Sequence, residues 1–323
     1  MRHCFVGSLA GSLVVVSLGF AFVSSAQAWG CKGHQVIAFV AEERVNAHAR
    51  TMVAQILEGA PISRDLRRFC GNSGLDAFAD SSTWADDERT VRPETADWHF
   101  IDIPRGVTKA NLDQYCPPTG CVTQAILTQL AVLRDAKASP QARGDALRFL
   151  IHFVGDLHQP LHASTNNDLG GNCVPVAFFG SAPQETDRAH ESYRPNLHGV
   201  WDVDILERFS QGKTPTQIGA ELQDKFKKQL AAWQSEKMDL NAWAWESHEA
   251  AEKTVYGKLP SKIAVETPKP VKTCADDGHI STQMLKLNEA IGDGYQGAAA
   301  PVVEERLAKA GARLAAVLNA LWP

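Results

Sequence analysis

Residues 149–162 read FLIHFVGDLHQPLH. Leu150, Ile151 and Val154 recur at helical spacing and turn one face toward a core, while His152 and Asp156 stand one turn apart on another face. Pro160 cannot continue a helix, so the segment ends there and a bend can return His162 toward the same face. A helix this apolar belongs in an interior. A desolvated imidazole or carboxylate there costs free energy unless it is paired or bound to a metal. On a helix surface a single His–Asp pair contributes only about 0.2–0.5 kcal/mol and needs no special reason. NLHGVWD, residues 196–202, repeats the H-x-x-x-D arrangement with His198 and Asp202, again among apolar residues. Two such pairs plus His162 form a donor set in need of a cation.

The same helical period runs through most of the chain outside this segment. It marks residues 34–57, 75–89 and 121–137, and it returns at 220–238 and 302–322. Strand-like sequence is confined to VPVAFF, residues 174–179, and short pieces nearby, and the polar interval 164–196 reads as the longest loop. The expected fold is all-α: one mainly helical domain over residues 29–323, with short strand-like pieces and long loops. Its interior is large enough to need no metal for stability. Lys plus Arg number 32 against 37 Asp plus Glu, so no chain-wide basic field marks a nucleic-acid binder, and any anion must be attracted locally.

Residues 1–28 begin with Arg2 and His3, continue through an apolar run and end in Ala26-Gln27-Ala28, the pattern of a cleaved secretory signal peptide. The other reading of this stretch is an N-terminal membrane anchor of roughly 20 residues, but the Ala-x-Ala site and the lack of a basic stop favour cleavage. The mature chain would then be secreted or periplasmic, without a membrane anchor, and would start at Trp29 with a free α-amino group able to bind a metal. Six cysteines follow the signal, an even number that suits disulfides in an exported chain. Cys116 and Cys121 flank the tight PPTG loop and are expected to pair. Cys31, Cys70, Cys173 and Cys274 leave three connectivities open. No C-x-x-C pair supports a thiolate zinc site.

STWADDER, residues 82–89, and DWHFID, residues 97–102, add Asp86 or Asp87 and His99 to the donors, beside Trp and Phe. WGCKGH, residues 29–34, adds Trp29 and His34. Imidazole with carboxylate and without thiolate suits zinc with open coordination positions, the catalytic kind. There are more donors than one ion uses.

Taken in order, W-G-x-x-G-H, W-A-D, W-H-F-x-D, H-F-x-G-D-x-H-Q-P-L-H, G-G-N and N-L-H-x-x-W-D resemble the S1/P1 nuclease family of trinuclear zinc enzymes. The motifs run from Trp29 to Asp202, and beyond Asp202 the likeness is a helical pattern alone. The resemblance implies three zinc ions (Zn2+). Asp86, His99, His152 and Asp156 would hold the first, with Asp87 as the fallback for Asp86. The Trp29 amino nitrogen and carbonyl oxygen, His34 and a bridging Asp156 would hold another, and His162, His198 and Asp202 the third. It implies hydrolysis of phosphodiesters in single-stranded DNA and RNA by metal-activated hydroxide, leaving 5′-phosphates, with 3′-nucleotidase activity as an additional option. Arg89 and Asn172 would contact the phosphate at the catalytic centre, and Phe100 and Asp102 would stack and hydrogen-bond a nucleobase. The partners implied are single-stranded nucleic acid and nucleotides, acted on by a monomer.

His158 is read as a turn or outer hydrogen-bonding residue, His48 and His190 as surface residues, and the eight tryptophans as mostly core. A zinc-dependent phospholipase C shares the expected fold and ligands, but Asp202 stands where those lipases carry glutamate. A non-catalytic exported zinc-binding protein would take up metal without turnover. The absence of H-E-x-x-H argues against a zinc protease. The interval between His162 and His198 is longer than in the fungal enzymes, and Cys31 and Cys173 have no assigned counterpart there.

Overall fold

The computed structural model describes Met1 and residues 29–71, 77–109, 111–276 and 278–323. The expected signal peptide lies outside these residues apart from Met1. Helices dominate: α1 (Gly30–Glu42), α2 (Ala47–Gly59), α3 (Ala77–Ser81), α4 (Trp84–Glu88), α5 (Val122–Arg134) and α6 (Pro140–Asp156) come first. They are followed by α7 (Leu197–Gly199), α8 (Ile205–Ser210), α9 (Pro215–Lys225), α10 (Lys227–Ser235), α11 (Leu240–Ala250), α12 (Ile280–Leu285) and α13 (Asp293–Leu321). The all-α expectation is met.

Helix α6 is the central rod. Ser139 caps it by accepting the Ala142 N–H, and Pro140 fills the first turn, where a missing N–H costs nothing. Every residue from Ala146 to Asp156 is buried, packed by α5, α2 and α13. The helix stops at Asp156, and Pro160 opens a short 3-10 turn over Pro160–Ala163 that carries His162 back to the core.

The continuous pattern over 34–57 resolves into two helices. Asn46 breaks it: its side chain caps α2 through the Ala49 N–H, and its own N–H and amide donate to Asn319 and to the carbonyl of Trp322. Local capping chemistry overrides the apolar period there. Likewise 220–238 divides at Phe226, and 75–89 divides into α3 and α4. Helix α13 starts earlier than its pattern, with Pro301 inside it. It lies against α1, where a side-chain carbon at Gly311 would sit 2.6 Å from Val40. Glycine is what lets the two backbones come that close.

The long interval 164–196 is not featureless. Strand β1 (Ala177–Phe178) pairs in parallel with β4 (Ala290–Ile291), and β2 (Gln184–Asp187) forms a bulged antiparallel hairpin with β3 (Ser192–Arg194). The polar composition hid this hairpin because both its faces meet solvent or a cleft, which leaves no apolar alternation to read.

Cys116 pairs with Cys121 as expected, and the open connectivity resolves to Cys31–Cys70 and Cys173–Cys274. Trp29, Trp84, Trp201, Trp243 and Trp322 are buried in one continuous apolar core. Among the described residues no helix is long and apolar enough to cross a membrane.

Candidate active site

The buried donors of α6 face those of four other segments. His152 Nε2 lies 3.1 Å from Asp156 Oδ2 and 3.7 Å from Asp86 Oδ1. His99, at the end of the 3-10 turn Pro93–His99, brings Nδ1 to 3.0 Å from Asp156 Oδ2 and 3.7 Å from Asp86 Oδ1. The first turn of α1 brings His34 Nε2 to 3.3 Å from Asp156 Oδ1, its ring stacked on His152 at 3.9 Å. His198 Nε2 lies 3.1 Å from Asp202 Oδ2, and His162 Nε2 lies 4.0 Å from Asp202 Oδ1. Three groups of donor atoms result: Asp86, His99 and His152; His34, His152 and Asp156; and His162, His198 and Asp202, each with its ligand atoms within 4.8 Å of one another.

The rings are aimed by their other nitrogens. His152 Nδ1 is 2.7 Å from the Ser82 carbonyl, His162 Nδ1 is 2.8 Å from that of His99, and His198 Nδ1 is 2.7 Å from that of Gly170. Each such bond places the N–H on Nδ1 and leaves Nε2 as a lone-pair donor, the tautomer a metal ligand needs. A side-chain carbon at Gly170 would lie 2.5 Å from the Leu161 carbonyl, so only glycine fits where His198 is anchored. Gln159 steadies Asp202 by donating to Oδ1 at 2.6 Å. The π-helical turn Val200–Asp204 carries Asp202 itself.

The remaining atoms fit a cation. Among the described residues, Nε2 of His34, His162 and His198 and Oδ1 of Asp156 are buried without a hydrogen-bond partner, although each lies close to an oppositely polarised group. Atoms that converge but are misaligned for bonding to one another are aimed at a common centre. Burial opposes charge on His152, yet the Asp156 and Asp86 carboxylates push its pKa up to about 9. Burial and the Arg89 charge lower His99 to about 4. Burial works to raise Asp156, but His152, His34 and His99 hold it well below the usual carboxylate range. The cluster thus demands positive charge at its centre, and the nitrogen and carboxylate donors suit zinc.

The adjacent aspartates separate cleanly. Asp86 faces the donors, whereas Asp87 points away, accepting the Phe69 N–H at 2.7 Å and pairing with Arg68. Trp29 is fully buried, its indole donating to the Gly155 carbonyl at 2.9 Å. Its backbone nitrogen lies 3.3 Å from Asp202 Oδ1, beside the third group, whereas the sequence expectation joined it to His34 and Asp156.

His99, His162 and His198 line a cleft of about 380 Å3, beside Arg89, Phe100, Asp102 and Asn172. Arg89 Nη1 lies 3.3 Å from Asp86 Oδ1. The Asn172 amide donates to the Leu169 carbonyl at 2.8 Å, which fixes its orientation. Burial raises the Asp102 carboxyl to about 7, with Asp168 and Asp97 adding repulsion. Near neutral pH Asp102 can either accept a hydrogen bond or donate one.

His158 makes the expected turn bond, Nδ1 to the Val154 carbonyl at 2.7 Å, and His48 lies exposed on α2. His190 is a surface residue, as read, and it also lines the cleft, with Nδ1 2.7 Å from Asp187 Oδ2. Sequence reasoning also missed Arg194 and Lys272 in the same wall. The hairpin and the Cys173–Cys274 bond bring them there, and no local motif announces either.

Comparison with known proteins agrees with this geometry. Nuclease P1 of Penicillium citrinum is 31% identical over 189 residues, 57% of this chain and 60% of that protein. Endonuclease 3 of Arabidopsis thaliana is 28% identical over 319 residues, 93% of this chain and 91% of the relative. Nuclease S1 of Aspergillus oryzae is 27% identical over 297 residues, 90% of this chain and 91% of the relative. The family model described as S1/P1 Nuclease matches residues 29–323, and the chain belongs to that family.

Proposed function

We propose that the chain is a zinc-dependent endonuclease that hydrolyses single-stranded DNA and RNA to 5′-phosphate products, working as an exported monomer cut after Ala28. The observation that carries this reading is the trio of buried His/Asp groups beside a cleft that is also lined by an arginine and an aromatic side chain. Asp86, His99, His152 and Asp156 hold one ion, and His34, Asp156 and the Trp29 terminus a second. His162, His198 and Asp202 hold a third.

Bound zinc lowers the pKa of water to about 7 and screens charge on a phosphodiester in an in-line displacement. The chain's own residues do the rest. Arg89 and Asn172 contact the non-bridging phosphate oxygens. Phe100 stacks an unpaired base and Asp102 bonds its edge. Stacking contributes roughly 1–3 kcal/mol per base and requires a splayed nucleotide, which accounts for single-strand preference without a basic groove. The base pocket and Asp202 also favour a nuclease over a phospholipase C.

Zinc analysis and hydrolysis of denatured DNA test the assignment, using protein that starts at Trp29 and protein with one residue added before it. The extended form should lose zinc from the expected three ions and lose activity. Full zinc and activity in the extended form would remove Trp29 from the ligand set. Retained activity in His152→Ala would overturn the assignment as a whole.

A further inference from the structure

Three of the zinc-donor histidines line the cleft, and part of its lining comes from two segments outside every motif of the family pattern. The β2–β3 hairpin supplies Thr186, Asp187, His190, Tyr193 and Arg194, and the loop before α12 supplies Lys272 and Thr273. The hairpin is held at its turn and just beyond β3, where the Leu197 N–H donates to the Val174 carbonyl at 2.8 Å and the Val176 N–H to the Pro195 carbonyl at 3.1 Å. Glu191 at its turn is 2.9 Å from Thr282 Oγ1 and 2.6 Å from His279 Nδ1. Cys173, beside Asn172, is bonded to Cys274, beside Thr273. This wall is therefore set before any ligand arrives, which lowers the ordering cost of binding.

Several surface cations are committed to carboxylates. Lys32, Arg92, Arg105, Arg188, Lys213 and Lys225 each have a carboxylate within 4.0 Å. Arg194 and Lys272 are exposed, and among the described residues neither has an ion pair or a side-chain hydrogen bond; Asp204 acts on Arg194, and Asp276 on Lys272, only at longer range. The one carboxylate of the hairpin that faces the cleft, Asp187, is occupied by His190 and by the Ala189 N–H at 2.9 Å. In a chain of net charge −5, two uncommitted cations on a rigid cleft wall make a local anion-binding field.

We propose that Arg194 and Lys272 form a phosphate subsite for a neighbouring nucleotide of the bound strand, so that the cleft grips a polynucleotide across more than the phosphodiester being cut. This rests on the nuclease reading and extends it: chain length, and not the scissile bond alone, sets the efficiency of cleavage. Charge at a backbone phosphate carries no base information, so the gain applies to every sequence.

The test compares thymidylyl-3′,5′-thymidine, which has a single phosphodiester, with pentathymidylate, which adds neighbouring phosphates. In the zinc-loaded enzyme, Arg194→Ala with Lys272→Ala should lower kcat/KM on pentathymidylate on the order of tenfold, as expected when charged hydrogen bonds to phosphate are removed, and leave the dinucleoside unchanged. The salt dependence on the longer substrate should shallow by about one unit of log–log slope for each phosphate no longer neutralised. Arg194→Lys with Lys272→Arg should retain most of the advantage. Equal reductions on both substrates, or none on either, overturn the subsite. Anisotropy of a fluorescein-labelled pentathymidylate reads the same binding without turnover. An unchanged affinity in the double alanine variant overturns the subsite, whereas wild-type enzyme that binds the probe but cleaves neither substrate overturns the nuclease reading and leaves the subsite standing.

Discussion

Two buried histidines six residues apart, His152 and His158, stand in polar surroundings of opposite kind. His152 meets His34, His99, Asp86 and Asp156, and the facing atoms include several without a hydrogen-bond partner among the described residues. His158 instead lies under arginines: its Nδ1 is bonded to Val154, its Nε2 is 3.1 Å from Arg313 Nη1, and its carbonyl accepts from Arg306 at 3.0 Å. Arg313 continues to Glu246 and Glu236, and Arg306 to Glu246. The second cluster supplies its own positive charge, and burial with Arg306 and Arg313 keeps His158 neutral. Burial of polar groups therefore does not mark a metal site. Convergent donor atoms left without a hydrogen-bond partner among the described residues do.

The largest expected effect that sharpens this contrast is Asp156→Asn, since Asp156 lies within 3.3 Å of His34, His99 and His152. It should strip zinc and lower nuclease activity by roughly three orders of magnitude, the scale of losing a central catalytic group, with far-UV dichroism retained. Wild-type metal content in that variant would erase the distinction. Arg313→Met should do the reverse. It leaves Glu246 and Glu236 short of a partner, and urea unfolding should show a loss of roughly 2–3 kcal/mol, less than for a fully buried pair because both carboxylates keep contact with water. Zinc content and activity per folded molecule should hold. Loss of zinc in Arg313→Met would merge the two clusters into one functional unit.

Acid separates them by order. Burial works to raise Glu246, but Arg313, Arg306 and Lys309 lower it to about 2, from an unfolded value of about 4.3. A depressed carboxyl pKa gives stability that is present above the unfolded value and is lost as pH falls through about 2. Imidazole ligands must stay deprotonated to hold metal, so zinc release should begin at higher pH. Zinc-indicator dye and near-UV dichroism on one acid titration should show metal leaving first; coincident transitions would mean that the metal sites hold the arginine network together. The smallest effect is expected for Asp87→Asn. It disturbs Arg68 and the Phe69 N–H and should cost about 1–2 kcal/mol with zinc unchanged, measured by thermal unfolding and metal analysis.

The donor set was legible because helix periodicity makes i, i+4 pairs such as His152/Asp156 and His198/Asp202 share a face, and because apolar flanks imply burial. Composition could not separate Asp86 from Asp87, and only the W-A-D register favoured Asp86; adjacent helix positions differ in direction, and Arg68, far back in the chain, holds Asp87 away from the donors. Helix boundaries failed where a single side chain acts, as Asn46 does between α1 and α2. The cleft wall was the least legible. Lys272 reaches it through a disulfide of sequence separation 101, and the hairpin has no apolar face to betray it.

The Cys31–Cys70 bond closes a ring around α1 and α2, anchored two positions from Trp29 and one from Phe69. Chain ends ordinarily fray, because nothing beyond the last residue restrains them. In a chain cut after Ala28 that freedom would be cancelled almost at the first peptide bond, and the terminus would acquire the stiffness of an internal loop. Opening this one bond should show up first as faster amide exchange at the start of α1, before any change reaches α6.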